Sequence, residues 1–229
     1  MIIDMHMHES TCSDDSFLKL ADMVETAKAL GLDAICITDH DHMGLKDYAN
    51  EYSKKVNFPI FVGVEYYSLE GDIVAFGIDD FPGERIHAQE FIDYVHARGG
   101  VCFAAHPFRN NNRGLAEHLL SVNGLDAIEA FNASTTYEAN VRALEVSIER
   151  GIQAVGVSDC HVMEKIGVYA TCLPYEVKTL AEFVEAFKKG DCYPVGYFDG
   201  KYIDLRKVVK MMTPGTALIP EDKQIFKGN

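Results

Sequence analysis

Four short clusters of histidine and carboxylate lie along the chain, and each follows an apolar run. A single glutamate, Glu65 in Gly63-Val64-Glu65, has the same kind of position. The four clusters are Asp4-Met5-His6-Met7-His8, Thr38-Asp39-His40-Asp41-His42, Ala105-His106-Pro107 and Ser158-Asp159-Cys160-His161. Imidazole nitrogens and carboxylate oxygens together suit several transition-metal ions. The residue types therefore indicate a metal-dependent hydrolase.

Spacing within the clusters favours shared ligation of an ion. His6 and His8 are two residues apart on an apolar strand, so their side chains would point to the same side. Asp159 and His161 repeat this spacing. A carboxylate such as Glu65 can bridge two ions, which an imidazole does not do readily.

The second cluster has several ionisable groups, and their roles differ. We predict His40 as a metal ligand and Asp39 as a partner that orients an imidazole. His42 is either an exposed turn residue or a proton donor to a leaving group. Asp14 is a further candidate ligand, although Asp14 and Asp15 could equally cap the first helix.

Short apolar strands alternate with amphipathic helices, which predicts parallel strands joined by helical crossovers. A hairpin is expected where two strands follow one another around Gly71. Strands are predicted over residues 2–7, 34–38, 60–67, 73–78, 101–105, 127–131, 153–157 and 168–173, and helices over residues 16–30, 45–55, 86–98, 114–122, 137–150 and 180–189. Each cluster follows a predicted strand, and in barrels of this kind the C-terminal strand ends carry the active site.

Length and composition predict one domain over residues 1–229, with residues 212–229 forming a C-terminal arm or tail. The 229 residues are 48% hydrophobic, enough for one full-sized core. Lys and Arg total 21 against 35 Asp and Glu, a formal charge of −14. That charge repels a phosphate backbone, so long nucleic acid is not expected as a partner.

The six cysteines form no CxxC pair and are expected to be free thiols in a reducing cytoplasm. No apolar run approaches the roughly 20 residues that span a bilayer, and no signal peptide is evident. We therefore expect a cytoplasmic location without membrane association. His87, His96 and His118 lie on predicted helices and are expected at the surface.

The motifs resemble those of the polymerase and histidinol phosphatase (PHP) superfamily. They are D-x-H-x-H at residues 4–8, T-D-H at 38–40, G-V-E at 63–65, A-H-P at 105–107 and S-D-x-H at 158–161, in the family's order. The resemblance implies an α/β fold, a distorted (β/α)7 TIM-like barrel. It also implies two or three divalent metal ions (Zn, Mn or Fe) and phosphoester hydrolysis.

By the same analogy, the ligands divide among three ions. One ion would use His6, His8, Glu65 and Asp159. A second would share Glu65 and use His106, with its last ligand left open among Glu129, Asn132 and Glu138. A third would use Asp14, His40 and His161.

The predicted reaction is hydrolysis of a phosphoester in a small phosphorylated metabolite by metal-activated hydroxide. Arg109 is either a phosphate clamp or an exposed loop residue, and Arg113 and Lys165 are further candidates. A metal-dependent amidohydrolase and a non-catalytic accessory module are the alternatives. The sequence fixes neither the substrate nor the oligomeric state.

Overall fold

The computed structural model describes residues 1–210, and the predicted arm at residues 212–229 lies outside them. The strands are β1 (Ile2–Asp4), β2 (Ala34–Ile37), β3 (Ile60–Val62), β4 (Val64–Tyr67), β5 (Asp72–Phe76), β6 (Val101–Ala104), β7 (Ala127–Asn132), β8 (Gln153–Val157), β9 (Tyr169–Cys172), β10 (Tyr193–Phe198) and β11 (Lys201–Asp204). The helices are α1 (Leu20–Ala29), α2 (Lys46–Val56), α3 (Ala88–Ala97), α4 (Tyr137–Arg150), α5 (Leu180–Phe187) and α6 (Leu205–Lys210). Short 3₁₀ turns occupy Ala116–Leu120 and Met163–Lys165.

The strands form two sheets, with the orders β11-β10-β9-β1-β2-β3 and β4-β5-β6-β7-β8. Within them, β1-β2-β3 and β6-β7-β8 are parallel, whereas β4-β5-β6 and the β1-β9-β10-β11 half are antiparallel. The α/β class and the hairpin of β4 and β5 agree with the sequence. A closed seven-stranded barrel is not found in residues 1–210. Single bridges, Met7 to Cys160 and His40 to Glu65, link the two sheets instead.

Gly63 explains why the strand predicted over residues 60–67 is divided. A Cβ atom at Gly63 would lie 2.4 Å from the Ala75 carbonyl oxygen and 2.6 Å from the Phe76 ring. The backbone therefore passes too close to β5 for any side chain. Here the chain leaves the first sheet as β3 and enters the second as β4.

Helix α1 begins four residues later than the sequence predicts, because its first residues take part in other contacts. The Ser16 hydroxyl donates to the His8 carbonyl at 2.7 Å and accepts from the Leu18 amide at 3.2 Å. Lys19 is the residue before the helix, so neither Asp15 nor Ser16 caps it. Residues 9–19 consequently form a loop that follows the His6 and His8 cluster.

Helix α4 and strand β8 have the predicted bounds. The residues that begin and end α4 act through contacts with their neighbours in the sequence. The Thr136 hydroxyl accepts from the Ala139 amide, and Gly151 ends α4 with a φ of 64°. Strands β10 and β11 and helix α6 were not predicted, since Pro194 and the short spacing obscured any strand pattern. Within residues 1–210, no helix is both long and apolar enough to cross a bilayer.

The frame under the strand ends is rigid and apolar. All residues of β2, β5, β6 and β7 are buried. Phe183 and Phe187 of α5 pack on Phe76 and Phe103, with ring centroids 5.2 and 6.0 Å apart, respectively. Such packing fixes the positions at which the strands end.

We predict that Gly63→Ala destabilises the protein, because the added methyl group would overlap the Ala75 carbonyl. A loss of about 1–3 kcal/mol in the free energy of unfolding is expected, as for overpacked sites. Urea unfolding followed by circular dichroism would measure it. Gly83→Ala is the matched control, since a Cβ there meets nothing within 4 Å. Equal stability of the two variants would contradict the role given to Gly63.

Candidate metal centre

Seven of the side chains singled out in the sequence converge at the ends of the strands. His6 and His8 follow β1, His40 follows β2, Glu65 lies in β4, His106 follows β6, and Asp159 and His161 follow β8. His6, His8, Glu65, His106 and Asp159 are all at most 2% exposed. The fold thus brings residues up to 155 positions apart into one buried basin.

His6 and His8 direct one ring nitrogen each toward the same point. The two Nε2 atoms are 3.0 Å apart. Behind them, Nδ1 of His6 lies 2.6 Å from the Glu129 carboxylate, and Nδ1 of His8 lies 3.3 Å from the Ser13 hydroxyl. Burial lowers the pKa of His6, but Glu129, Asp159 and Glu65 together hold that pKa well above its usual range, so this point favours positive charge. A metal ion that replaced the His6 proton would face Nε2, because a carboxylate at Nδ1 favours that tautomer of the neutral ring.

Two carboxylates complete this group. Oε2 of Glu65 lies 3.4 and 3.5 Å from the Nε2 atoms of His6 and His8, and Oδ1 of Asp159 lies 3.5 and 3.3 Å from them. Oδ1 of Asp159 is buried and has no hydrogen-bond partner. A buried, unpartnered carboxylate oxygen among imidazole nitrogens fits a metal ligand.

A second group forms around the other oxygen of Glu65. Oε1 of Glu65 lies 2.8 Å from Nε2 of His106, which lies 3.8 Å from Oδ2 of Asp72. The donor atoms of these three buried residues all lie within 4.8 Å of one another. Oδ1 of Asp72 has no hydrogen-bond partner. Asp72 is therefore a candidate ligand that the sequence analysis missed.

The register of the hairpin could have revealed Asp72. Glu65 pairs with Val74 across β4 and β5. Cross-strand partners share a face, and so do residues two apart. Asp72 therefore lies on the same face as Glu65, one step nearer the strand ends.

Glu129, Asn132 and Glu138 were the alternatives for the last ligand of the second ion, and each has different contacts. Glu129 accepts from the His106 amide at 2.7 Å as well as binding His6, so it supports the imidazoles from behind. The Asn132 side chain donates to Glu129 and Asp159 at 2.9 and 3.2 Å. Glu138 is exposed on α4 and does not face the basin. Asp72 has the better geometry.

A third group lies at the outer edge. Nε2 of His40 and Nε2 of His161 lie 3.2 and 3.3 Å from Oδ2 of Asp15. Nδ1 of His40 is also 2.6 Å from Glu65, and the His8 ring stacks on His161 with centroids 4.2 Å apart. Asp14 was predicted as the carboxylate here, but Asp15 is the one that contacts both histidines; both carboxylates are exposed. The difference arises because residues 9–19 form a loop and not a helix start.

Asp39 and His42 occupy different surroundings. Asp39 is buried and accepts from the Ser13 hydroxyl at 3.0 Å and the Glu9 amide at 2.7 Å. Through Ser13 it supports His8, as a partner that orients an imidazole would. His42 is exposed, and its Nδ1 accepts from the Gly44 amide at 3.0 Å. That contact favours a turn residue over a proton donor.

Two arginines border the carboxylates. The Arg109 guanidinium pairs with Asp159 and donates to Oδ1 of the Asn132 side chain at 3.1 Å and to the Thr135 hydroxyl at 2.9 Å. Nε of Arg113 donates to Asp72 at 2.7 Å, and its guanidinium lies over the Tyr67 ring. Lys165 donates instead to a backbone carbonyl, that of Ala133. The arginines therefore give the basin a cationic border.

Burial and neighbouring charges shift the pKa values of the candidate ligands in different directions. Burial disfavours the charge of Glu65, but His6 and hydrogen bonds from His106 and His40 hold the pKa of that carboxyl well below its usual range. Burial, with Glu65 nearby, raises the pKa of Asp72 to about 7. Burial lowers the pKa of His8 to about 4, so this imidazole is neutral and able to ligate at neutral pH.

Two of the candidate ligands have left-handed backbone conformations. His106 has a φ of 28° and Asp159 a φ of 48°. Residues other than glycine rarely adopt these angles, and such strain concentrates at functional sites. The surrounding structure holds both side chains toward the basin.

Two family models match successive parts of the chain. The PHP domain model matches residues 4–124, and the PHP-associated model matches residues 137–192. The chain belongs to the PHP family. An uncharacterized protein of Methanocaldococcus jannaschii is 26% identical over 142 residues, 58% of this chain and 82% of that protein.

Solved PHP-like structures share the fold at low identity. One from Bifidobacterium adolescentis, assigned to the metal-dependent phosphoesterases, has a TM-score of 0.58 at 20% identity over 70% of this chain and 88% of its own. An amidohydrolase from Chromobacterium violaceum with bound sulfate has a TM-score of 0.60 at 17% identity, over 86% and 98%. A lesion-specific endonuclease from Pyrococcus furiosus has a TM-score of 0.59 at 14% identity, over 95% and 68%.

We predict that Glu129→Gln weakens metal binding, because the amide no longer fixes the His6 tautomer. The expected loss is about 10–100-fold in affinity, as for other partners of ligating histidines. Titration of the chelator-treated protein with Zn²⁺ or Mn²⁺ would measure it. Glu138→Gln, an exposed change on α4, is the control. Unchanged affinity in Glu129→Gln would remove this support from the site.

Proposed function

We propose that this PHP-family protein is a metal-dependent phosphoesterase that hydrolyses small phosphorylated metabolites. One observation carries the proposal. The Nε2 atoms of His6 and His8 converge with Glu65 and Asp159 in a buried basin bordered by Arg109. Imidazole and carboxylate donors suit a divalent ion, and guanidinium groups suit a phosphoryl group.

The chain's own residues would share two or three divalent ions (Zn, Mn or Fe). His6, His8, Glu65 and Asp159 would hold one. Glu65, His106 and Asp72 would hold another, and His40, His161 and Asp15 would hold a third. When bound, such ions provide a hydroxide near neutral pH and offset charge on the phosphoryl oxygens.

The remaining residues orient these ligands and receive the substrate. Glu129 fixes His6 from behind, and Asp39 acts on His8 through Ser13. Arg109 and Arg113 would bind the non-bridging oxygens of the phosphoryl group, since each already holds an oxygen of a buried carboxylate. The planar guanidinium can exchange one oxyanion for another at the same position.

Charge supports a small substrate. The chain has a formal charge of −14, so a long nucleic acid would be repelled outside the local cationic border. The endonuclease among the structural neighbours acts on nucleic acid, but at 14% identity it supports only the fold. A small phosphomonoester or phosphodiester is the proposed substrate class.

The arginines also favour a phosphoesterase over the two alternatives. An amidohydrolase acts on a neutral C–N bond and has little use for two guanidinium groups beside its ions. The sulfate bound by the Chromobacterium violaceum neighbour has the shape of phosphate, and it belongs to that protein. An accessory module has no need for a complete donor set. A panel of phosphoesters, amides and lactams would discriminate among the three.

We predict that His8→Ala reduces kcat/KM on p-nitrophenyl phosphate or a nucleotide panel by about a thousandfold or more. The reason is that the variant removes one of two convergent nitrogens. Steady-state assays at saturating metal, with circular dichroism to verify folding, would measure it. The exposed His118→Ala is the control and should keep its activity. A fully active His8→Ala would refute the proposed reaction centre.

Arg109→Gln should raise KM for a phosphoester about tenfold or more while leaving metal content unchanged. The expected reason is loss of a bidentate contact with the phosphoryl group. Parallel kinetic and elemental measurements would separate these effects. Arg98→Gln, at the exposed end of α3, is the matched control. A fall in metal content at constant KM would assign Arg109 to positioning Asp159 instead.

A further inference from the structure

Three different metal-binding side chains also meet at the other end of the strands. His96 is in the last turn of α3, Cys102 is the second residue of β6, and Asp126 precedes β7. Since β6 and β7 are parallel and end near the metal centre, residues at their N-terminal ends lie on the opposite face. The three residues are thus separate from the catalytic basin.

The donor atoms of this group are close enough to share one ion. Nε2 of His96 lies 3.0 Å from Oδ2 of Asp126. The three donor atoms, including Sγ of Cys102, all lie within 4.8 Å of one another. A tetrahedral zinc ion with ligands at roughly 2.0–2.3 Å needs separations of about 3.3–3.8 Å between donors. Small side-chain adjustments would therefore meet that geometry.

Burial of the group is graded from the core to solvent. Cys102 is fully buried, whereas the side chains of Asp126 and His96 are 19% and 37% exposed. An ion among them would have protein ligands on its inner side and water on its outer side. This matches a site with three protein ligands and one solvent position.

We propose that His96, Cys102 and Asp126 form a binding site for a divalent transition-metal ion of the zinc type. The site joins α3 to the first residues of β6 and to the segment before β7. It is independent of the proposed hydrolysis, because it lies on the face where barrel-like folds place stability and not catalysis.

The backbone positions one of the three donors in advance of an ion. Asp126 accepts from the Cys102 amide at 2.8 Å, which fixes the carboxylate beside the thiol. Burial, together with Asp126 and Asp93, holds the pKa of the Cys102 thiol well above its usual range. The thiol is therefore neutral without an ion. Binding would release its proton to solvent and form the metal–sulfur bond.

Cobalt provides a direct test, because a Co²⁺–thiolate bond gives a near-ultraviolet charge-transfer absorption that nitrogen and oxygen ligands do not. Titration of the chelator-treated full-length protein with Co²⁺ should produce this band with one equivalent of thiolate-bound ion. Cys102→Ser should abolish the band. His96→Gln should weaken the apparent affinity at least about tenfold.

Cys192→Ser is the matched control, since Cys192 is also buried beside an aspartate, Asp191. It should retain the band. His96→Gln should keep the phosphoesterase activity of the metal-loaded protein, which separates this site from the catalytic one. No band in the wild-type protein, a band that survives Cys102→Ser, or equal affinities of wild type and His96→Gln would overturn the proposal.

Discussion

Four carboxylates buried at the strand ends impose the main constraint on this protein. Glu65, Asp72, Glu129 and Asp159 are each at most 1% exposed. Like charges in a poorly solvated interior repel strongly unless cations or protonation offset them. Imidazoles and two guanidinium groups surround the carboxylates for this reason, and the proton retained by Asp72 near neutral pH reflects the same balance. The composition of the basin follows from this requirement.

The two-sheet architecture is what assembles these groups. The parallel halves deliver His6, His40, His106 and Asp159 at carboxyl ends of strands, whereas the antiparallel hairpin supplies Glu65 and Asp72 from adjacent positions. Gly63 permits the change of sheet directly before Glu65.

Much of the metal centre could be predicted from the sequence. A polar cluster directly after an apolar run shows which side chains are candidate ligands and places them at the end of a strand. His6, His8, Glu65, His106 and Asp159 converge as expected, although whether they ligate an ion remains a prediction. The failures have physical causes. Asp15 was obscured by the helix-cap alternative, and Asp72 by its position in a hairpin, where only the register shows which face it shares.

The predicted closed barrel is not confirmed. Alternating strands and helices predict the crossovers of β1 to β3 and of β6 to β8, and these are present. Sheet closure depends on tertiary packing, such as the steric contact at Gly63 and the pairing of β9 with β1. Neither has a local signature. Strands β10 and β11 were not predicted for a similar reason. They are stabilised mainly by pairing of β10 with β9 and β11, which the local sequence does not show.

The ion pair of Arg109 with Asp159 has a consequence for the life of the polypeptide after synthesis. A resident guanidinium gives this carboxylate an internal counter-charge before any inorganic cofactor arrives. The other oxygen, Oδ1, has no hydrogen-bond partner, so an ion can be added there without displacing the arginine. Burial of Asp159 during folding is therefore compensated by the polypeptide itself.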